Sequence, residues 1–168
     1  MAALPRGKSR ATSKGLPVRI QVVPDTKPVA LPPAFGVESE AGDRSRQVFA
    51  MTGDADIAVP PGTHTVYVSH GYEWELVKET VNAEAGKVAT IDAKLARSVP
   101  NANRMCADFH IHSNFSFDSK DPQREKVKSA IADGLDIPVS SEHEWISDFQ
   151  PIIEELGMKE WAFGFPSS

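Results

Sequence analysis

Short alternations of apolar and polar residues run from Leu16 to about Arg97. Val18, Ile20 and Val22 alternate with Arg19 and Gln21, and Val66 and Val68 repeat the period inside Thr65 to Ser69. Successive side chains of a strand point to opposite faces, so this period predicts strands with one buried face. Ile57 and Val59 form another short run that ends in Pro60-Pro61-Gly62, and Trp74 to Val81 and Lys87 to Leu95 follow, separated by the Ala85-Gly86 turn. The stretch has no apolar stripe at helical spacing, and its turn signals recur at intervals suited to an antiparallel sandwich. Pro24, Pro28, Pro32 and Pro33 predict a loop or sheet edge after the first strand.

Beyond residue 97 the pattern changes. SVPNANR, residues 98–104, is polar, interrupted by Pro100, and reads as a linker. Met105 to Ile111 reads as a strand. A helix is predicted to follow, with Asp121 as its N-cap, Pro122 at its first position, Val127, Ala130 and Ile131 as its apolar stripe, and Gly134 as its stop. Asp136 to Ser140 is a second strand in which Pro138 fits poorly. Phe149 to Leu156 is a second short helix closed by Gly157, and Trp161 to Phe165 starts a third strand. Strands alternating with helices at this spacing predict parallel pairing. The fold class is therefore an all-β part followed by an α/β part: a basic flexible tail over 1–15, a β-sandwich over 16–97, a linker over 98–104 and an α/β segment over 105–168.

Composition narrows the function. Lys and Arg number 18 against 23 Asp and Glu, a net charge of -5, so no global field draws in a polyanion and nucleic acid is not the expected partner. Arg6, Lys8, Arg10 and Lys14 in the tail are too few to change this. The single cysteine, Cys106, excludes an internal disulfide and any Cys-x-x-Cys zinc or redox site. No apolar run is long enough to span a bilayer. The opening MAALPRGKSRATSKG lacks the apolar stretch of a secretory signal, so the chain as it stands is expected in the cytoplasm, with export of a longer parent left open.

The chemistry concentrates in the second half. Three of the five histidines lie between positions 110 and 143, in DFHIHS and SEHE. On a strand His110 and His112 face the same side, and His143, just past the next parallel strand, opens onto the same sheet edge. With Asp108, Asp118, Glu142, Glu144 and Asp148 nearby, these imidazoles supply donors suited to zinc, manganese or iron. His64 and His70 have no partner at ligand spacing and are expected to be surface or turn residues.

Two resemblances attach to these patterns. VPPGTHTVYVSHGYEWELVKETV resembles the small carboxypeptidase-regulatory or transthyretin-like sandwich, which implies a docking or spacing module. ADFHIHSNFSFDS followed by DGLDIPVSSEHEW resembles the opening of a polymerase-and-histidinol-phosphatase (PHP) domain, closest to the carbaryl-hydrolase-like branch. The second resemblance implies a seven-stranded (β/α) barrel with two or three divalent ions, hydrolysing small-molecule esters, phosphoesters or carbamate and amide-like bonds through a metal-activated water. It implies His110, His112 and His143 as metal ligands, Asp118 as a further ligand, and Glu142 as an acid/base group or one that orients a ligand. Ser113 and Ser116 are candidates to position substrate oxygens. The family's later ligands have no counterpart before Ser168, so the expectation is the front of a truncated barrel with little turnover alone. Two other readings stay open: a non-catalytic docking module with a remnant metal site, and an α/β core whose histidines bind nothing.

Overall fold

The structure, a computed structural model, describes residues 3–4, 15–26, 46–100 and 104–167. The basic tail, apart from residues 3–4 and 15, lies outside the described residues, as do Pro28, Pro32 and Pro33 and most of the linker after Pro100. The chain divides into two compact units, one of Met1–His70 with Trp74–Ser98, the other of Gly71–Glu73 with Val99–Ser168. Helix and strand are mixed, strand predominates, and no barrel closes among the described residues. Among the described residues, no helix is long and apolar enough to cross a membrane.

The first unit is built on an antiparallel sheet. Its strands are β2 (Val18–Pro24), β3 (Arg46–Ala50), β5 (Gly62–Ser69) and β6 (Val77–Ala83), in the order β3-β2-β5-β6. A two-residue ladder joins β1 (Ala3–Leu4) to β4 (Ile57–Ala58). Register follows the alternation read above: Ile20 sits opposite Val68 and Val22 opposite Val66, all four buried on one face. A one-residue slip would turn this whole set toward water, so burial holds the register. Leu16, Ile57, Val59, Ile91 and Ala93 complete the core.

Three expectations change here. Lys87 to Leu95 forms no continuous strand; Ile91 and Ala93 still alternate inward, but only isolated bridge positions occur. The strand expected at Trp74 starts at Val77, and Trp74 instead makes a lone antiparallel bridge with Arg97. His64 and His70 are buried, not surface or turn residues. His64 lies in register with Pro24 on the apolar face of β5, with Nε2 donating to the Pro60 carbonyl at 2.8 Å. That local acceptor meets one of the ring's two polar demands and lets an imidazole occupy a core position.

The second unit pairs β7 (Ala107–Ile111) in parallel with β8 (Ile137–Ser140), with α1 (Gln123–Ala132) between them in sequence. Pro122, with extended backbone, takes the N-cap position, and Asp121 makes no capping bond but pairs with Lys126 at 2.7 Å. Pro138 is accommodated by phase: the Ile137 and Ser141 amides both donate to the β7 segment, at Cys106 and Ile111, so the missing N–H of Pro138 faces the other way. Val139 bridges Phe165 in parallel, but the third strand expected over Trp161 to Phe165 is reduced to this single bridge. The Met158 carbonyl accepts from the amides of Trp161 and Ala162 and keeps the start of that segment in a turn. α2 (Gln150–Glu155) ends at Gly157, whose φ of 70° closes the helix. Val127, Ile131, Val139, Phe149, Ile153 and Ala162 form the core. Gly164 is required by close approach, since a Cβ there would lie 2.5 Å from the Gln150 amide nitrogen.

Cys106 opens β7. Burial pushes its thiol up, and the negative charges of Asp136, Glu73 and Asp108 add to the effect. A raised thiol pKa lowers the fraction of reactive thiolate. Its alkylation by iodoacetamide at pH 8 is expected to be slower in the folded chain than in urea; equal rates would remove this account of its environment.

Candidate metal centre

Parallel pairing brings the carboxyl ends of β7 and β8 to one edge, and the loop after each carries the chemistry. The first loop is folded by consecutive turns: Ser116 N–H donates to Ser113 O at 2.9 Å, Ser119 N–H to Ser116 O at 3.3 Å, and Asn114 N–H to Asp121 O at 2.8 Å. This coil returns Asp118 toward His112. The second loop places His143 three residues past Ser140 and is followed by Glu144 at φ 54°.

Asp118 is the centre of the group. Its Oδ1 and Oδ2 each lie 3.1 Å from His112 Nδ1, and Oδ2 lies 3.2 Å from His143 Nε2. A carboxylate only accepts, so both facing nitrogens carry the proton in this arrangement. The His112 hydrogen bond holds the Asp118 carboxyl below the usual carboxylate range; partial desolvation opposes it and the His143 bond reinforces it. One donor atom from each of His112, Asp118 and His143 lies within 4.8 Å of the others.

These residues fit a divalent ion. A four-coordinate ion with bonds of about 2.0–2.2 Å separates its ligand atoms by roughly 3.3–3.6 Å; Asp118 Oδ2 lies 3.1 and 3.2 Å from the two imidazole nitrogens, and all three donor atoms lie within 4.8 Å of one another. Two imidazoles and a carboxylate suit zinc, manganese or iron. His110 stands outside the group of three. Its exposed ring stacks on His112 with centroids 4.7 Å apart, so the strand alternation does set the two rings side by side. Asp108 accepts from the His110 amide and Asp148 from the Gln150 amide, and neither joins the group.

Glu142 lies behind the site. It is 4% exposed and accepts from the Ser113 amide at 2.9 and 3.1 Å, from the Ser113 hydroxyl, and from the Ser116 hydroxyl at 2.6 Å. Burial pushes its carboxyl up, yet the bonds from Ser113 and Ser116 outweigh burial and hold it below the usual range. Ser113 and Ser116 are themselves buried, their hydroxyls turned to Glu142 and not to the site. Sequence reading missed this cage; its only signal was serine spaced through SNFS and SSE.

Aromatic rings border the loops. Phe117 stacks on His143 at 4.7 Å and 23°, and Phe115 lies parallel to Trp145 at 5.6 Å and 5°. No protein-family model matches the chain, and no curated protein or solved structure matches it either.

Glu144 occupies the left-handed region without being glycine, which crowds its Cβ against its own carbonyl. A β-branched side chain worsens that crowding. Glu144→Gly removes the crowding and is expected to raise stability in urea denaturation by about 1 kcal/mol, and Glu144→Val to lower it; equal stabilities would show that the loop relaxes freely.

Proposed function

We propose that this chain carries a PHP-type metallohydrolase segment, in which His112, Asp118 and His143 hold a divalent ion. One observation carries the reading: three donors of the right chemistry, from two loops far apart in sequence, converge within 4.8 Å at the carboxyl edge of two parallel strands. The sequence resemblance supports the reaction class, hydrolysis of a phosphoester or of a carbamate or amide-like bond. A bound ion supplies Lewis acidity toward a phosphoryl or carbonyl oxygen and makes water more acidic.

The chain's own residues divide the work. His112 and His143 give neutral nitrogen donors once their facing protons leave, and Asp118 gives the one negative oxygen. His110, stacked on His112, limits where that ring can turn. In the seven-stranded barrel that the resemblance implies, β7, α1 and β8 would correspond to the first strand, helix and second strand.

The test is metal content by elemental mass spectrometry after loading with zinc or manganese and gel filtration. About one ion per wild-type chain, lost from the His112→Ala/His143→Ala variant, is the supporting result. No retained metal, or equal metal in both proteins, overturns it. A loaded chain is then offered p-nitrophenyl phosphate and a p-nitrophenyl carbamate, which separates the two bond classes.

A further inference from the structure

Three hydrogen-bonded groups connect the two loops behind the candidate ligands. The His143 amide donates to Ser116 Oγ at 3.0 Å, and the Ser116 hydroxyl donates to Glu142 Oε2 at 2.6 Å. Glu142 also takes the amide and hydroxyl of Ser113, the residue directly after His112. The first loop is thus gripped at Ser113 and Ser116, on either side of the turn that leads to Asp118, and the second at His143 itself. Ser113, Ser116 and Glu142 are all buried, at 0%, 4% and 4% exposure, so water does not compete for these bonds. A buried carboxylate is costly unless its lone pairs are filled, and here serines and a main-chain amide fill them.

We infer that Glu142 is a positioning residue: through Ser113 and Ser116 it clamps the loop after β7 to the loop after β8 and so sets the separation of His112, Asp118 and His143. It meets no ligand donor atom directly. Its effect passes through the backbone on both sides, which agrees with the ligand-orienting alternative that the resemblance implies and differs from the acid/base one. A group transferring protons to substrate must reach it, whereas these oxygens face inward onto donors. Cutting any link frees one loop while leaving all three ligands in the chain. The metal part of the inference rests on the reading above; the clamp itself does not.

The experiment uses the full chain and two readouts. Amide hydrogen exchange at Ser113 and His143, followed by NMR without metal, reads the clamp. Co2+ titration, followed by visible d–d absorption, reads affinity and ligand geometry. Ser116→Ala is expected to speed exchange at His143, weaken Co2+ binding by roughly 10–100-fold and shift the d–d band. Glu142→Gln keeps the side-chain shape but replaces an acceptor by a donor facing Ser116, and is expected to weaken Co2+ binding in the same direction. An acid/base group would leave Co2+ affinity unchanged in Glu142→Gln. Wild-type affinity and an unshifted band in folded variants overturn the inference; if Ser116→Ala does not fold, Glu142→Gln is judged by the same criteria. A wild-type chain that binds no Co2+ but protects both amides, with protection lost in a variant, leaves the clamp standing and removes the metal reading.

Discussion

Zinc added to the metal-free chain is expected to raise its melting temperature, and Asp118→Asn to remove most of that rise. A ligand that binds only the folded state stabilises it by mass action, about 2.7 kcal/mol at a hundredfold excess over Kd. For a unit of this size that corresponds to a shift on the order of 10 °C. The unfolded chain offers the same side chains without their convergence, so the effect requires the fold. Asp118→Asn keeps size but replaces one accepting oxygen by an NH2 donor and removes the negative charge shared by both imidazoles, leaving a site of neutral donors. His110→Ala is the internal control, because His110 stands outside the converging group. Its zinc response is expected to exceed that of His112→Ala. Lowering pH weakens the response, since a proton competes with the ion for each imidazole nitrogen. An unchanged melting temperature at millimolar zinc, or equal shifts in wild type and Asp118→Asn, would discard the site.

Much of this arrangement was legible from local pattern. Val18, Ile20 and Val22 alternate with polar residues, and the same face of β5 supplies Val66 and Val68, so period two located the central pair of the sheet. The pattern did not separate a paired strand from an extended segment: Ile91 and Ala93 alternate inward as in a strand, yet Lys87 to Leu95 lacks continuous pairing. Alternation reports which side is buried, not where backbone hydrogen bonds go. The same limit explains His64, whose burial depends on an acceptor at Pro60 that no spacing rule marks. In the second unit, His112, Asp118 and His143 were legible as candidate ligands; the structure brings these three together and leaves His110 beside the group. Both His110 and His112 satisfy the same-face rule; only loop geometry decides which ring reaches Asp118. Glu142 was singled out for its place before His143, but its serine partners lie 26 and 29 positions away, and nothing local identifies bonds closed by tertiary folding.

Phe149→Ala is expected to be among the most damaging single changes to the second unit although it touches no candidate ligand. Phe149 is fully buried and is the largest fully buried side chain among the described residues. Its carbonyl accepts from the Ile152 and Ile153 amides at 3.1 and 3.0 Å, so the residue that fills the core also starts α2. α2 packs on α1, and α1 packs on β8, the strand that delivers Glu142 and His143. Truncating a buried phenylalanine costs about 3–5 kcal/mol through lost burial and the cavity left behind. A unit of this size has a total stability of roughly 4–10 kcal/mol, so the change removes a large share of it. Phe115→Ala provides the contrast: Phe115 is half-exposed and stacked on Trp145, and its loss is expected to cost about 0.5–1.5 kcal/mol. Urea denaturation followed by tryptophan fluorescence compares the two, with Phe149→Leu expected between them. The order also separates core from site: Phe115→Ala is expected to keep the zinc-induced rise in melting temperature, and Phe149→Ala to lose cooperative unfolding and the rise together. A Phe149→Ala chain within 1 kcal/mol of wild type would mean that α2 and its packing do not support the strand ends, and that the two ligand loops hold their geometry through the Glu142 bonds alone.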